Sequence, residues 1–411
     1  MLIYYYLYFI NGRPLQMIFL YYISKTFFSL NKCHFPFYSL FLILMLVSCS
    51  SGDNGAKSGL LNKSIASYAT TFDAPSPAWI KKTNSIIDSF YQKTICYREF
   101  SGQFLVAKNG HVIYERTNGY ANKESKWKLT DTTSIHVASI SKVATAIAVL
   151  RLVDQKMISL DEKVTHYLPK FPYPGVTVRM LLNHRSGLQY YGYFTVGIWP
   201  KDQMLNNTNL LTLMQKNKIP LNYSPGKRFA YCNTNFAFLA LIVEAVTKKD
   251  FPTAMNELIF QPLKMNNSFI LQNKTQFNKH AQSYKPNGVK HSFIYLDGVY
   301  GDKNLYTTAK DLLLLDNALY TSFISDSLKK QMFKGYSYEK AGTNNYGLGW
   351  RMKEAAGKST YFFHTAWWHG STGIFARLEK EHISIIALSN NFSRSVYMIS
   401  PLVLAFGNYP Y

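Results

Sequence analysis

Among the 411 residues, the segment Ser139-Ile140-Ser141-Lys142 has the sharpest chemical potential. A serine hydroxyl is a poor nucleophile until a base takes its proton, and a lysine three residues later on a helix lies one turn away on the same face. Spacing alone does not single it out, because Ser29/Lys32, Ser125/Lys128, Ser224/Lys227, Ser327/Lys330 and Ser337/Lys340 repeat it. The setting does. Ser139 follows Ser134-Ile135-His136-Val137-Ala138 and opens a stretch, Ile140 to Val153, that is apolar on nearly every face and predicts a buried helix. On the first turn of such a helix a lysine is partly desolvated, which disfavours its charged form and moves it toward a working base. Standing alone, the pattern reads as an N-cap serine with a snorkelling lysine.

The elements that must position these residues follow from periodicity. Phe104 to Tyr114 predicts two strands joined at Asn109-Gly110, the strongest short-range hairpin signal. Asn235 to Val246 and Phe251 to Phe260 carry helical patterns. Gly373 to Leu378 and Ile383 to Leu388 flank the charged turn Glu379-Lys380-Glu381 and predict a second hairpin. Strands at both ends with helices between predict an α+β fold, an antiparallel β-sheet built from both chain ends and flanked by helices. An all-helical region is inserted roughly between 139 and 300, and the site lies in the cleft between these parts.

A second constellation, Tyr231-Cys232-Asn233, runs from the Pro225-Gly226 turn into the start of an apolar helix. Ser-x-x-Lys followed by Tyr-x-Asn resembles the serine β-lactamase and penicillin-binding-protein superfamily, specifically its class C-like branch, where a strand with Lys-Thr-Gly or His-x-Gly comes third. The likeness runs from about Phe100 to the end, through Leu160-Asp161-Glu162-Lys163-Val164, Leu181-Leu182-Asn183-His184-Arg185-Ser186-Gly187-Leu188, Gly301-Asp302-Lys303-Asn304 and Tyr346-Gly347-Leu348-Gly349-Trp350, in family order. Two registers compete for the third motif. His364-Thr365-Ala366 is followed directly by Trp367-Trp368, as in family members with an aromatic pair, whereas His369-Gly370-Ser371 keeps the glycine but puts that pair upstream. We take His364. Ala366 then stands where the family has glycine, and its methyl is expected to crowd the acyl-acceptor side.

The resemblance implies Ser139 as acyl-accepting nucleophile, Lys142 as the group that deprotonates it or stabilises its ionised partner, and Tyr231 as proton shuttle. It implies Asn233 as a holder of the substrate amide or the lysine, and His364 as facing the substrate's carboxylate or leaving group. The backbone N–H groups of Ser139 and Trp367 would form an oxyanion hole. No metal or organic cofactor is implied. Because imidazole is mostly neutral at pH 7, such a site is expected to lack a fixed cation for an anionic β-lactam, which favours small-molecule esters or peptides as substrates. The competing reading is a catalytically weak protein that binds peptidoglycan-like or peptide ligands in the same cleft.

The N-terminal part differs in kind. Of the formal net charge of +22, residues 1–48 contribute +3, from Arg13, Lys25 and Lys32, and contain no acid. Phe35 to Ser48 is an apolar run of 14 residues, the length of a signal-peptide h-region and short for a membrane span. Leu46-Val47-Ser48-Cys49 resembles the bacterial lipobox, which implies cleavage before Cys49, its lipidation, and a cell-envelope protein anchored on the periplasmic or outer-membrane side. Residues 1–48 are long for such a signal, so a translation start downstream of Met1 is expected. Residues 49–77, opening with a Gly/Ser-rich run, read as a tether, and 78–411 as the catalytic domain.

Other classes are disfavoured. The 47% apolar content excludes a disordered chain, and four cysteines without C-x-x-C spacing provide neither a disulfide scaffold nor a zinc site. His364, His369 and His382 lack a supporting acidic pattern for a metal. Cys232 reads as a packed thiol. The basic residues are scattered in ones and twos, with no nucleic-acid motif.

Overall fold

The structure, a computed structural model, describes residue 68 and residues 72–96, 100–271 and 280–410. Helix α1 (Pro77–Phe90) starts at Ser76, whose hydroxyl caps the N–H of Trp79 while Pro77 occupies the first turn. The hairpin β1 (Gly102–Lys108) and β2 (His111–Asn118) turns at Asn109 and Gly110, both with positive φ, 54° and 78°, as a two-residue Asn-Gly turn requires. A short ribbon, β3 (Tyr120–Asn122) and β4 (Trp127–Lys128), leads to β5 (Ile135–His136).

Helix α2 (Ser141–Asp154) follows, with every residue from Ser141 to Leu150 buried, as its uniformly apolar sequence implies. Beyond it come α3 (Val164–Tyr167), α4 (Val178–Leu182), α5 (Tyr191–Phe194), α6 (Asn207–Lys216), α7 (Thr234–Thr247) and α8 (Phe251–Met255), the last continued by a π-helical turn to Phe260. This helical region also holds a small sheet in which β5 and β6 (Phe269–Ile270) flank β7 (Leu305–Thr307). Strands this short carry too little alternation to be seen in sequence. Helices α9 (Ala309–Ala318) and α10 (Asp326–Met332) extend the helical part past residue 300 before the main sheet resumes.

That sheet is completed by β8 (Asn344–Tyr346), β9 (Arg351–Lys353), β10 (Tyr361–Trp368), β11 (Ser371–Leu378) and β12 (Ile383–Ser389), and α11 (Ser400–Phe406) closes the chain. The order is β2-β1-β12-β11-β10-β9-β8, antiparallel throughout. The pairing of β1 with β12, from Gly102 opposite Ser389 to Lys108 opposite Ile383, joins the two chain ends in one sheet. One sheet face packs on α1 and α11 through Ile87, Phe104, Ile385 and Leu402, and the other packs on the helical region through Leu105, Phe375 and Ile386. Both faces are covered, which is why β11 and β12 read as continuous apolar runs.

One irregularity opens the site. Strand β9 pairs with β10 only at Tyr361, Phe362 and Phe363. From His364 to Trp368 that edge of β10 is not covered by β9, and the turn Ala138–Ile140 ahead of α2 packs beside β10 instead.

Candidate active site

Ser139 stands in a single 3₁₀ turn, half-buried between buried Ala138 and Ile140. Ala138 has φ 41°, a left-handed backbone that is strained for a residue with a side chain. Strain of this kind persists only where the surroundings enforce it, and here it lies directly before the serine. Lys142 Nζ donates to Ser139 Oγ at 3.0 Å and to the backbone carbonyl of Asp302 at 2.8 Å, and the lysine has no exposed surface.

The Asp302 carbonyl reaches Lys142 because residues 301–305 are laced to the start of α2. Thr145 Oγ1 donates to the Gly301 carbonyl at 2.7 Å, the Leu305 N–H to Ser141 Oγ at 3.1 Å, and the Val137 N–H to the Leu305 carbonyl at 3.0 Å. Gly301 has φ 91°, and a Cβ there would sit 2.4 Å from the Phe236 carbonyl oxygen, so this close pass over α7 requires glycine. Gly349, with φ 83°, plays the same part on the other side: a Cβ would lie 2.4 Å from Ala146 Cβ on α2.

Tyr231 enters just ahead of α7. Its ring centroid lies 5.2 Å from Lys142 Nζ, 4.5 Å from the Arg351 guanidinium carbon and 4.4 Å from the His184 ring. His184 Nδ1 accepts from the Cys232 N–H at 3.1 Å and pairs with the Asn235 amide at 3.0 Å, so the network places its proton on Nε2. Nε2 then donates to the Tyr346 hydroxyl at 3.2 Å. Tyr346 in turn donates to His364 Nε2 at 3.3 Å, and His364 Nδ1 donates to the Thr365 carbonyl at 2.9 Å. Burial, reinforced by the Lys142 and Arg351 charges, holds both imidazoles well below their ordinary range, so the relay is built from neutral rings. Burial pushes the Tyr346 phenol well up, which keeps it a donor.

The residues singled out in the sequence fall as follows. Ser139, Lys142, Tyr231 and His364 come together around the uncovered edge of β10. His364 is fully buried under Tyr346 and Tyr231, its ring 6.2 Å from each, so it does not face open cleft. Arg351 takes up the space over Tyr231, and with it the site acquires a fixed cation that the sequence reading did not expect. The Ala366 methyl is also enclosed, 1% exposed, opposite Gly373 on β11; a Cβ on Gly373 would come within 3.5 Å of it. The glycine on the neighbouring strand therefore leaves room for the alanine. Trp367 projects outward, 67% exposed, with its backbone on the uncovered edge. Asn233 is half-buried, and its Oδ1 is buried without a hydrogen-bond partner.

His369 lies in the turn after β10 with φ 52°, where Nε2 pairs with Asp297 Oδ2 at 2.9 Å; the adjacent Trp368 donates Nε1–H to Asp297 Oδ1 at 2.6 Å. The His291 ring lies 5.0 Å from that of His369, tilted by 34°, but Asp297 is occupied by these bonds and by the Ile294 N–H. Among the described residues no group of three or more His, Cys, Asp or Glu is arranged to hold a metal. Burial raises the Cys232 thiol, as suits a packing residue rather than a nucleophile. Cys49 lies outside the described residues, and among the described residues no helix is long and apolar enough to cross a membrane. The sequence reading gave no role to His184, Arg351, Asp302 or Tyr346, although three of the four lie in the segments that carry the resemblance and Arg351 directly follows one of them.

Residues 92–403 match the pattern of the Beta-lactamase family. The chain belongs to that family. This beta-lactamase family member is 28% identical over 316 residues to penicillin-binding protein 4* of Bacillus subtilis, covering 73% of this chain and 70% of that one. It is 26% identical over 267 residues to a D-aminopeptidase of Brucella anthropi, covering 64% of this chain but only about half, 51%, of that longer protein. Among solved structures, a penicillin-binding protein from Bacillus halodurans superposes with TM-score 0.68 at 25% identity, covering 79% of this chain and 98% of that one. The D-amino acid amidase of Ochrobactrum anthropi superposes with TM-score 0.65 at 20% identity, over 78% and 96%, and shows the shared fold.

Proposed function

We propose that this chain is a serine hydrolase that forms an acyl-enzyme on Ser139, with peptide or amide carbonyls as its substrate class. The observation that carries the reading is the bond from Lys142 Nζ to Ser139 Oγ, made by a lysine without exposed surface and aimed by the Asp302 carbonyl. Tyr231, whose ring centroid lies 5.2 Å from Lys142 Nζ and 4.5 Å from the Arg351 guanidinium carbon, in this reading passes the serine proton to the leaving nitrogen, in the manner of the class C-like branch. In this reading the N–H groups of Ser139 and Trp367 receive the oxyanion, and the Asn233 amide, with its unpartnered oxygen, takes the substrate amide. The Arg351 guanidinium beside Tyr231 favours substrates with a carboxylate near the scissile bond. Replacing Arg351 by Met is then expected to slow acylation by carboxylate-bearing substrates about 10- to 100-fold, in the range of a charge-assisted hydrogen bond, and to spare neutral esters.

The decisive experiment is covalent labelling. A fluorophosphonate or a fluorescent penicillin is expected to modify wild type and Ser125→Ala but not Ser139→Ala. No label, together with no turnover of ester, D-peptide, D-amino acid amide or β-lactam panels, would favour the second reading, a binding protein with weak catalysis. We also propose that Cys49 is lipidated and holds the domain, through residues 49–77, on the periplasmic or outer-membrane side of the cell envelope. Membrane retention of wild type in high salt and its loss in Cys49→Ala would support this, because charge-driven adhesion of a basic chain disappears in salt and a lipid anchor does not.

A further inference from the structure

Adjoining the Lys142–Ser139 pair through the Asp302 carbonyl lies a buried network of side chains that the proposed chemistry does not use. Asp302 has no exposed surface and Lys303 is 2% exposed. Tyr191 donates its hydroxyl to Asp302 Oδ2 at 2.6 Å and accepts from Lys303 Nζ at 2.6 Å, while Lys303 Nζ also faces Asp302 Oδ1 at 3.6 Å. Oδ1 has no hydrogen-bond partner. Lys303 is boxed between the Tyr191 and Trp368 rings, 4.9 and 5.0 Å from its ammonium. Tyr191 is fixed in turn through its N–H to Thr234 Oγ1, the first residue of α7, next to Asn233.

Asp302 thus presents two acceptors to its surroundings. Its main-chain carbonyl aims Lys142 at Ser139, and its carboxylate, half satisfied and out of water, belongs to the same residue. In a low-dielectric interior a carboxylate left without a counter-ion attracts the nearest cation strongly. We propose, resting on the assignment of Ser139 and Lys142 as the acylating pair, that Lys303 is a positioning residue. Its ammonium neutralises the Asp302 carboxylate, so that Lys142 stays on the carbonyl and on Ser139 Oγ instead of turning to the carboxylate. Tyr191 bridges the two charges and fixes their separation.

The test is the second-order rate of Ser139 labelling by a fluorophosphonate on the full-length protein, with the thermal midpoint measured alongside. Lys303→Met is expected to label about 100-fold more slowly than wild type, since it leaves an unpaired carboxylate on the residue whose carbonyl holds Lys142. Adding Asp302→Asn to it removes the competing charge and is expected to bring the rate back to within about tenfold of wild type. Tyr191→Phe keeps both charges and is expected to lose about tenfold, providing a milder variant should Lys303→Met not fold. A merely structural role predicts the reverse for the double variant, namely a further fall in both rate and midpoint. Lys303→Met labelling at the wild-type rate, or a folded double variant no faster than Lys303→Met, overturns the proposal. If wild type itself does not label, it is the acyl-enzyme reading that fails.

Discussion

Two buried charge clusters in this molecule invite comparison. On the sheet, Arg377 of β11 donates Nε–H to Asp316 Oδ1 at 2.7 Å, and Ser384 of β12 donates to Oδ2 at 2.5 Å, joining α9 to two strands. Both oxygens of Asp316 are satisfied, and the guanidinium lies 4.5 Å from the Tyr320 ring. In the site, Asp302 has one oxygen bonded and the other facing Lys303 at 3.6 Å, Asn233 Oδ1 and Arg351 Nε lack partners, and Ala138 holds a left-handed backbone. In the first cluster the carboxylate is fully bonded and ties elements together, although Arg377 Nη2 is buried without a hydrogen-bond partner. The second is left incomplete around a half-buried serine, and its part-buried members, Asn233 and Arg351, are the ones a substrate can complete.

Substitutions should separate the two. Lys142→Met is expected to slow Ser139 labelling about 10²–10⁴-fold, the range of a lost general base, with little change in the thermal midpoint. Arg377→Met is expected to do the opposite, lowering unfolding free energy in urea by about 3–5 kcal/mol because it strands a buried carboxylate, while the folded fraction labels normally. A variant at Arg377 that loses labelling but keeps its stability would erase the distinction.

The neutral imidazoles connect the site to stability. Burial lowers His136 to about 3 and holds His184 and His364 well below their ordinary value. Each therefore binds a proton more readily when unfolded, so its contribution is complete above about pH 6.5 and is lost as pH falls below that, down to about 3 for His136. The expected slope is about 1.4 kcal/mol per pH unit for each ring. Urea unfolding at pH 7.5, 6 and 5 measures it, and an unfolding free energy that does not change from pH 7 to 5 contradicts the buried-neutral relay. The smallest effect is expected for Ala366→Gly. The methyl is enclosed opposite Gly373, so its removal should cost about 0.5–1 kcal/mol through backbone entropy and change labelling only slightly.

Much of the frame was legible in the sequence for local reasons. Asn109-Gly110 sets its own turn, the all-apolar faces of Ile140 to Val153 demand burial, and a serine and lysine three apart on a helix meet wherever that helix packs. The strand motif was less legible. His364 was expected to face ligand and is instead roofed by Tyr346, and the expected absence of a fixed cation gave way to Arg351. Neither could be read from spacing, because Tyr346, Arg351 and Tyr231 converge from strands and a loop whose separation in sequence says nothing of their approach in space.

Residue type and short-range geometry therefore determined which serine has a lysine within reach, which helix is buried and that the two chain ends form one sheet. Tertiary structure decided what aims that lysine, which ring carries which proton, and which charge stands over the tyrosine. Contacts within one helical turn are dictated by a fixed rise and pitch, whereas the meeting of Lys142 with the Asp302 carbonyl, across 160 residues of chain, exists only once α2, α7 and the Gly301 loop have packed.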